Sequence, residues 1–514
     1  MLAAEYHFRA GEDLPARRLL EMAVAEAPSA GERATARWQL GWVLRHNASL
    51  AAGLVAFREA LRDLDDVHDD DNRLRATIER DIALVLINMG TMMEAAPHAV
   101  AAMELATLSG DARLRNDAIG PLVLIDFLSG HGLREDLVEL ARDDISSDRL
   151  PISLRTNNLI AIAQKWTDQF DLARHRFEKE YRAAVERGAE AELPSLLWSM
   201  SELECWTGNW DLSTEYAQKG VEIAMLSGGP HDRALTLCAR AFISACRGHT
   251  EQALSDGLAA LQAADQSGLQ PAVAFSRHAL GFLELSRGDP SAADRWMAPL
   301  AEQLEVMRLI EPGVVRFVPD EIEALIGLGD LKRARGLLET FEARARALNR
   351  NWALGSSARC RGLILATERD LNGAAVALEE ALGHHRNLGI PLDLGRTLLQ
   401  LGRVHRRRRE KRLAKNMFEE ALKIFDELQA PLWSTQVYAD LGRIGLRPAA
   451  RHELSPTESA VARLAAQGRT NREIASKLFL SPKSVDSVIL RVYDKLGIRS
   501  RAELGSWMTA HKNQ

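Results

Sequence analysis

The chain is predicted to be all-α: an α-solenoid of helical hairpins over residues 1–441, a short hinge at 442–451, and a compact four-helix module over 452–514. Three observations carry that reading. Turn-forming residues recur at intervals close to 40 positions through the body. An apolar helix stands before each of them and an amphipathic helix after it. Between Leu454 and Leu504, helix-start signals then crowd into a short stretch.

In the body the marks are Gly90, Gly130, Asp168, Gly208, Gly248, Gly288, Gly329, Asp370 and Arg408-Arg409, with Gly11 and Asn47 extending the series more loosely toward the N-terminus. Leu197-Trp198-Ser199-Met200-Ser201-Glu202-Leu203 is typical of the helix before a mark. Met417-Phe418-Glu419-Glu420-Ala421-Leu422 is typical of the helix after one. One hairpin cannot bury its apolar face alone, but stacked neighbours can, so a period of ~20–50 residues signals a solenoid. The chain has room for about eleven such units. Gly329-Asp330-Leu331 with Ala334, and Phe418-Glu419-Glu420-Ala421-Leu422, resemble the second-helix pattern of tetratricopeptide repeats. The unit is longer than that family's ~34 residues. Turns such as Leu226-Ser227-Gly228-Gly229-Pro230 accommodate the difference, because two glycines and a proline interrupt a helix.

Composition bounds the function classes. No apolar run approaches the ~18 residues of a membrane span, and MLAAEYHFRAGEDL lacks the basic-then-apolar pattern of a secretory signal. Cys205, Cys238, Cys246 and Cys360 have no metal-ligand spacing and read as buried, reduced thiols, which suits a cytoplasmic protein. From Arg451 onward Lys and Arg number 11 against 6 Asp and Glu, whereas the whole chain carries −6, which leaves −11 on the first 450 residues. A basic module on an acidic body suits a single nucleic-acid surface. GxxxxGK[ST], GxSxG and HExxH are all absent from the sequence, so no enzyme, cofactor or metal is expected. The basic run Arg403 to Arg412 and the acidic stretch Asp63 to Asp71 read as solvated turns, and His384-His385 lacks a third ligand. Trp166, Trp198, Trp206, Trp210, Trp296 and Trp352 are assigned mostly to the solenoid core, with one or two left for a concave ligand groove.

The C-terminal module is written in capping signals. Ser455-Pro456-Thr457-Glu458, Thr470-Asn471-Arg472-Glu473 and Ser500-Arg501-Ala502-Glu503 each put a hydroxyl at the cap and Glu three residues on, and Ser481-Pro482 is a cap followed by proline. Gly468 and Gly497 stand at helix ends. Helices are therefore expected over 456–467, 471–478, 482–496 and 501–510, the middle pair forming a helix-turn-helix through Phe479-Leu480-Ser481. Val461, Leu464, Ile474, Leu478, Leu480, Val485, Ile489, Val492, Leu496, Ile498 and Leu504 can close one core. Positions 483, 486, 487, 490, 491 and 494 then face outward. Lys483, Arg491 and Lys495 are candidate phosphate contacts, as are Thr470, Asn471 and Ser481 at helix N-termini, where backbone N–H groups meet anions.

Leu454-Ser455-Pro456 with Glu458, Gly468, Asn471 with Glu473-Ile474-Ala475, Leu480-Ser481-Pro482, Val485, Lys495-Leu496-Gly497 and Arg499-Ser500-Arg501 make about fifty ungapped residues that resemble the LuxR-type DNA-binding domain. That resemblance implies a module binding double-stranded DNA as a homodimer, with the third helix in the major groove and Asp486, Ser487 and Leu490 at the base-reading positions. An acid can accept from a cytosine amino group, and Leu can touch a thymine methyl. The family usually has histidine where this chain has Val488, and often a basic residue at Asp486 or Asp494; each acid weakens the attraction to phosphates. Repeats joined to such a module resemble the C-terminal part of the large ATP-binding LuxR-family regulators related to the maltose-regulon activator. The chain, already within a repeat at Met1, is expected either to have lost their ATPase domain or never to have had it. Two readings stand. One is a transcriptional regulator whose body senses a protein or small-molecule effector. The alternative is a tetratricopeptide-like protein-binding scaffold with a degenerate DNA-binding domain.

Overall fold

Helices account for nearly all of the described chain because their starts and stops are encoded locally. The computed structural model describes residues 1–9, 12–65, 72–141, 150–226, 229–443, 456–478, 482–496, 498 and 500–510, and no strand occurs among them. From Leu2–Arg9 to Lys411–Glu427 the helices follow one another as eleven successive pairs, and a further helix, Pro431–Arg443, stands after them. The first helices of successive pairs begin at Pro230, Gln270, Val318, Asn351 and Pro391, a spacing that averages near 40, with Val318 displaced by the segment before it. The chain separates into two units, Met1–Val437 and Tyr438–Gln514. Helix Pro431–Arg443 runs across that division, so the break expected at Gly442 falls on its last residues, and 444–455 lie outside the described residues.

The turns obey the sequence marks. Gly90, Gly130, Asp168, Gly208, Gly248, Gly288, Gly329 and Arg409 all have positive φ, between 65° and 89°. At Gly208 (φ 89°, ψ 3°) the residue closes helix Pro194–Thr207 in the left-handed conformation, which a side chain would strain. Asp370 is one residue out of place. The left-handed residue is Arg369 (φ 70°), while Asp370 caps the next helix by accepting from the Gly373 N–H at 2.9 Å. A second series closes the other end of seven of the pairs, at Gly110, Gly188, Gly268, Arg308, Asn349, Gly389 and Gln429. Gly11 lies outside the described residues, and Asn47 is the last residue of a helix.

Burial separates the two helices of a pair. All of Thr156–Trp166 is buried, which requires neighbours on every side. Lys411–Glu427 buries only Ala414, Phe418, Ala421 and Phe425, a single stripe on an outer helix. A small residue on the first helix receives a large one sixteen positions on. A Cβ placed on Gly41, Gly281, Gly362 or Gly402 would come within 2.5, 2.4, 2.7 or 2.5 Å of Phe57, Met297, Leu378 or Phe418 respectively. Glycine at these sites sets how closely the hairpin closes.

Stacked neighbours alone do not describe the body. Residues 307–317 leave the helical pattern and cross to much earlier hairpins as a strap. The N–H of Ile310 donates to the Leu128 carbonyl at 2.9 Å, and Arg316 pairs with Asp168 at 2.9 Å. Asp168 also accepts from the Trp352 N–H at 3.0 Å. The Arg316 guanidinium lies 3.7 Å from the Trp206 ring centroid and 4.5 Å from that of Trp352. Arg396 bonds Asp320 (2.7 Å) and Glu323 (2.8 Å), and a Cβ on Gly208 would strike Pro391. The solenoid coils until turns several repeats apart touch. These contacts fill much of the space where a concave groove is expected: Trp166, Trp198, Trp206 and Trp352 are buried, the first three around the Lys165 ammonium, which pairs with Glu202 at 2.5 Å. Trp210 is buried beneath its own hairpin, and Trp296 is half-buried.

Other expectations are refined. Asp63 is not solvated; it is 5% exposed and takes Arg33 and Arg37, each at 2.8 Å. Residues 66–71 lie outside the described residues. His385 is a core histidine, hydrogen-bonded through Nδ1 to Thr397 Oγ1 at 3.0 Å. Burial, against the pull of Asp393, drops its pKa to about 3. Arg408-Arg409-Glu410 form the expected inter-helix turn. The four cysteines are free and buried. Among the described residues, no helix is long and apolar enough to cross a membrane.

Candidate nucleic-acid interface

The module folds as its caps specify, with helices Pro456–Ala466, Asn471–Leu478, Pro482–Leu496 and Arg501–Ala510. Gly468 is left-handed at φ 81°. The Thr470 N–H donates to the Glu473 carboxylate at 2.7 Å, and the Glu473 N–H returns to Thr470 Oγ1 at 3.4 Å. These bonds, the backbone one foremost, hold the exposed Glu473 carboxyl below its ordinary pKa. Ser500 accepts from the Glu503 N–H at 3.2 Å. Ser455, Leu480, Ser481, Gly497 and Arg499 lie outside the described residues.

One core joins the four helices. Val461, Ala462, Ala465, Ile474, Ala475, Val485, Val488, Ile489, Val492, Leu496 and Leu504 are buried in it, with Leu464, Leu478, Ile498 and Trp507 packed against it. Val488, one of the positions at which this chain differs from the family's usual residue, is 5% exposed, because position 488 packs beside 485 and 492 on a helical stripe. Its apolar character serves the core and alters no outward surface.

The outward face of the third helix carries Asp486, exposed, and Leu490, 67% exposed. Leu490 takes no part in the module's buried core. Asp486 is not free-standing: its carboxylate accepts from the Asn471 amide. The Asn471 carbonyl in turn accepts from Arg501 Nη1 at 3.1 Å. Arg501 also donates to the backbone carbonyls of Ala465 (3.3 Å) and Arg469. Both polar atoms of the Asn471 side chain are thus engaged within the module, and the side chain joins the second helix to the third. Lys483, Ser487, Arg491 and Lys495 lie on the third helix, and their side chains are outside the described residues.

Sequence reasoning gives Arg501 no position in this site. The signal is present in Ser500-Arg501-Ala502-Glu503, which puts Arg501 at the first residue of the fourth helix. The carbonyl end of the first helix, which it reaches, is 32–36 residues away and has no local signature.

Comparison with known proteins agrees with this geometry. Residues 452–508 match the family model described as bacterial regulatory proteins, luxR family. A Mycobacterium bovis protein named "Putative HTH-type transcriptional regulator" is 44% identical over 69 residues, 13% of this chain and 8% of that one. An Escherichia coli protein named "Uncharacterized response regulatory protein" is 38% identical over 68 residues, 13% of this chain and 46% of that one. The chain thus spans under half the length of these relatives. The body is similar in fold to a Rap protein solved in complex with competence and sporulation factor: TM-score 0.54, 15% identity, 69% of this chain and 99% of that chain. The chain therefore joins an all-α repeat body to a LuxR-type helix-turn-helix domain.

Proposed function

We propose that this protein is a DNA-binding transcriptional regulator. The reading has the C-terminal module bind promoter DNA as a homodimer with its third helix in the major groove, while the helical body receives an effector. One observation carries it: within a segment matching the luxR family model, the third helix buries Val485, Val488, Ile489 and Val492 and turns Asp486 and Leu490 outward. That is the division a reading helix needs. The Rap protein of similar fold was solved with a factor bound, which supports assigning the effector to the body.

In this reading Leu490 touches a thymine methyl and Ser487 reads beside it, while Lys483, Arg491 and Lys495 meet phosphates together with the backbone N–H groups of the helix starts at Thr470, Asn471 and Ser481. Asp486 acts at the base edge while it is held by Asn471. The test is fluorescence anisotropy of the full chain on the duplex upstream of its own gene and on a scrambled duplex, across a salt series. A preference of at least ~10³-fold for one duplex is expected. Lys495→Ala should lower affinity for both duplexes and reduce the salt slope by about one. Equal, weak binding to both duplexes would favour the protein-binding scaffold instead.

A further inference from the structure

Inside the coiled body a cavity of about 100 Å³ lies where the strap crosses the first helices of several hairpins. Its walls are apolar, among them Leu124, Leu159, Ile162, Trp198, Leu235 and Phe275, and the strap closes one side with Met307, Leu309 and Val314. No Asp, Glu, Lys or Arg lines it. The space is well above the ~10–15 Å³ that one water needs and somewhat below the ~150 Å³ of an apolar cavity that takes up benzene. Met92 and Met307 are unbranched walls that can adjust to a guest.

Three polar atoms of lining residues have no hydrogen-bond partner: Asn158 Oδ1, Trp166 Nε1 and His231 Nδ1. Asn158 is 1% exposed and Trp166 6%. Neither is free to turn toward another partner. The Asn158 amide nitrogen is engaged by the Ser153 carbonyl at 2.8 Å, which fixes where Oδ1 points. The Trp166 ring stacks on Phe127, centroids 6.1 Å apart and planes 10° apart. Burial, reinforced by Arg45 and His46, keeps His231 well below its ordinary pKa and so uncharged. Buried polar groups in folded proteins are usually paired, and three unpartnered ones border this cavity, Asn158 and Trp166 offering one acceptor and one donor.

We propose that this cavity is a binding site for a small uncharged aromatic alcohol, phenol being the simplest member. A hydroxyl both donates and accepts, which matches the Asn158 acceptor and the Trp166 donor. The ring matches the aromatic and aliphatic walls, and the absence of a cationic partner excludes a carboxylate of the same size. As the effector of the regulator proposed above, the alcohol rests on that reading, but its binding to the cavity does not depend on DNA.

The experiment is calorimetric titration of the full chain with phenol, toluene and benzoate, repeated on Leu235→Phe and Val314→Phe, which fill the cavity from a helix and from the strap, and on Asn158→Leu. Phenol is expected to bind at least ~10-fold more tightly than toluene, with no heat from benzoate. Both filled variants should lose binding, and Asn158→Leu should bring phenol down to the level of toluene. Circular dichroism reports folding, and if one filled variant is unfolded the other and Asn158→Leu decide. Benzoate binding as well as phenol, phenol binding surviving in a folded filled variant, or no binding by the wild-type chain at millimolar phenol each overturns the proposal. Anisotropy on promoter DNA without phenol, run on the same samples, registers a failure of the regulator reading separately.

Discussion

Arg501 is the residue whose loss should loosen the third helix of the module without touching its surface. Its guanidinium donates to the Ala465 carbonyl (3.3 Å), to the Arg469 carbonyl and to Asn471 Oδ1 (3.1 Å). The first two acceptors sit at and just beyond the carbonyl end of the first helix, where a cation is also favoured by the helix dipole. A hydrogen bond to a charged donor contributes ~1.5–3 kcal/mol when buried. Arg501 is half-buried, so the three bonds together are discounted to about 2 kcal/mol. At about 1.4 kcal/mol per tenfold, Arg501→Met should raise the opening equilibrium of the module roughly 30-fold. Hydrogen exchange of the full chain, read peptide by peptide, measures this directly. Amides in 462–478 and 485–492 should exchange roughly 30-fold faster, while Pro230–Ser267 in the body is unchanged. Arg501→Lys should recover only part, because an ammonium cannot reproduce the planar fork. Unchanged exchange in 462–478 would refute the role, as would equal acceleration in the body.

Other outcomes are expected on the same physical grounds. Leu490→Ala should leave stability within about 0.5 kcal/mol, since the side chain is 67% exposed, yet weaken the preferred duplex by about 1–3 kcal/mol by anisotropy. Asp486→Asn removes a negative charge while keeping an acceptor for Asn471. If Asp486 only repels phosphates, affinity for every duplex should rise at low salt; if it reads a cytosine, only the preferred duplex should weaken. Gly402→Val places a Cβ 2.5 Å from the Phe418 ring, which is fully buried and cannot withdraw. It should cost about 1–3 kcal/mol in urea unfolding, and Phe418→Leu in the same chain should offset part of that loss. His385 is uncharged in the native state and has a pKa near 3, below its ordinary 6.5. The unfolded chain therefore binds the extra proton as pH falls below ~6.5, and stability present above that pH is lost at up to ~1.4 kcal/mol per unit toward pH 3. His385→Asn should flatten that slope between pH 6.5 and 5, and identical slopes in the two proteins would rule His385 out.

The sequence by itself determined everything set by neighbours three or four residues apart or by the repeat period. The module's helices fall within a residue of expectation because Thr470/Glu473, Ser500/Glu503 and the prolines act within a single turn. Most marks of the 40-residue period are left-handed, as glycine at a helix end must be. The slip of Asp370 for Arg369 arises because Asp is both a turn former and a helix cap, and here it is the cap. Only the tertiary structure decided what the inner face of the solenoid became. Arg316 meets Asp168 across 148 residues and Trp352 meets it across 184, and no periodicity announces a contact of that span. The strap that fills the face departs from the period, so its own sequence reads as a connection. The module shows the same limit at smaller scale. A helical wheel places Asp486 and Leu490 outward, but that Val488 is buried, and that Asp486 is held by Asn471 and Asn471 by Arg501, depends on where three helices meet in space.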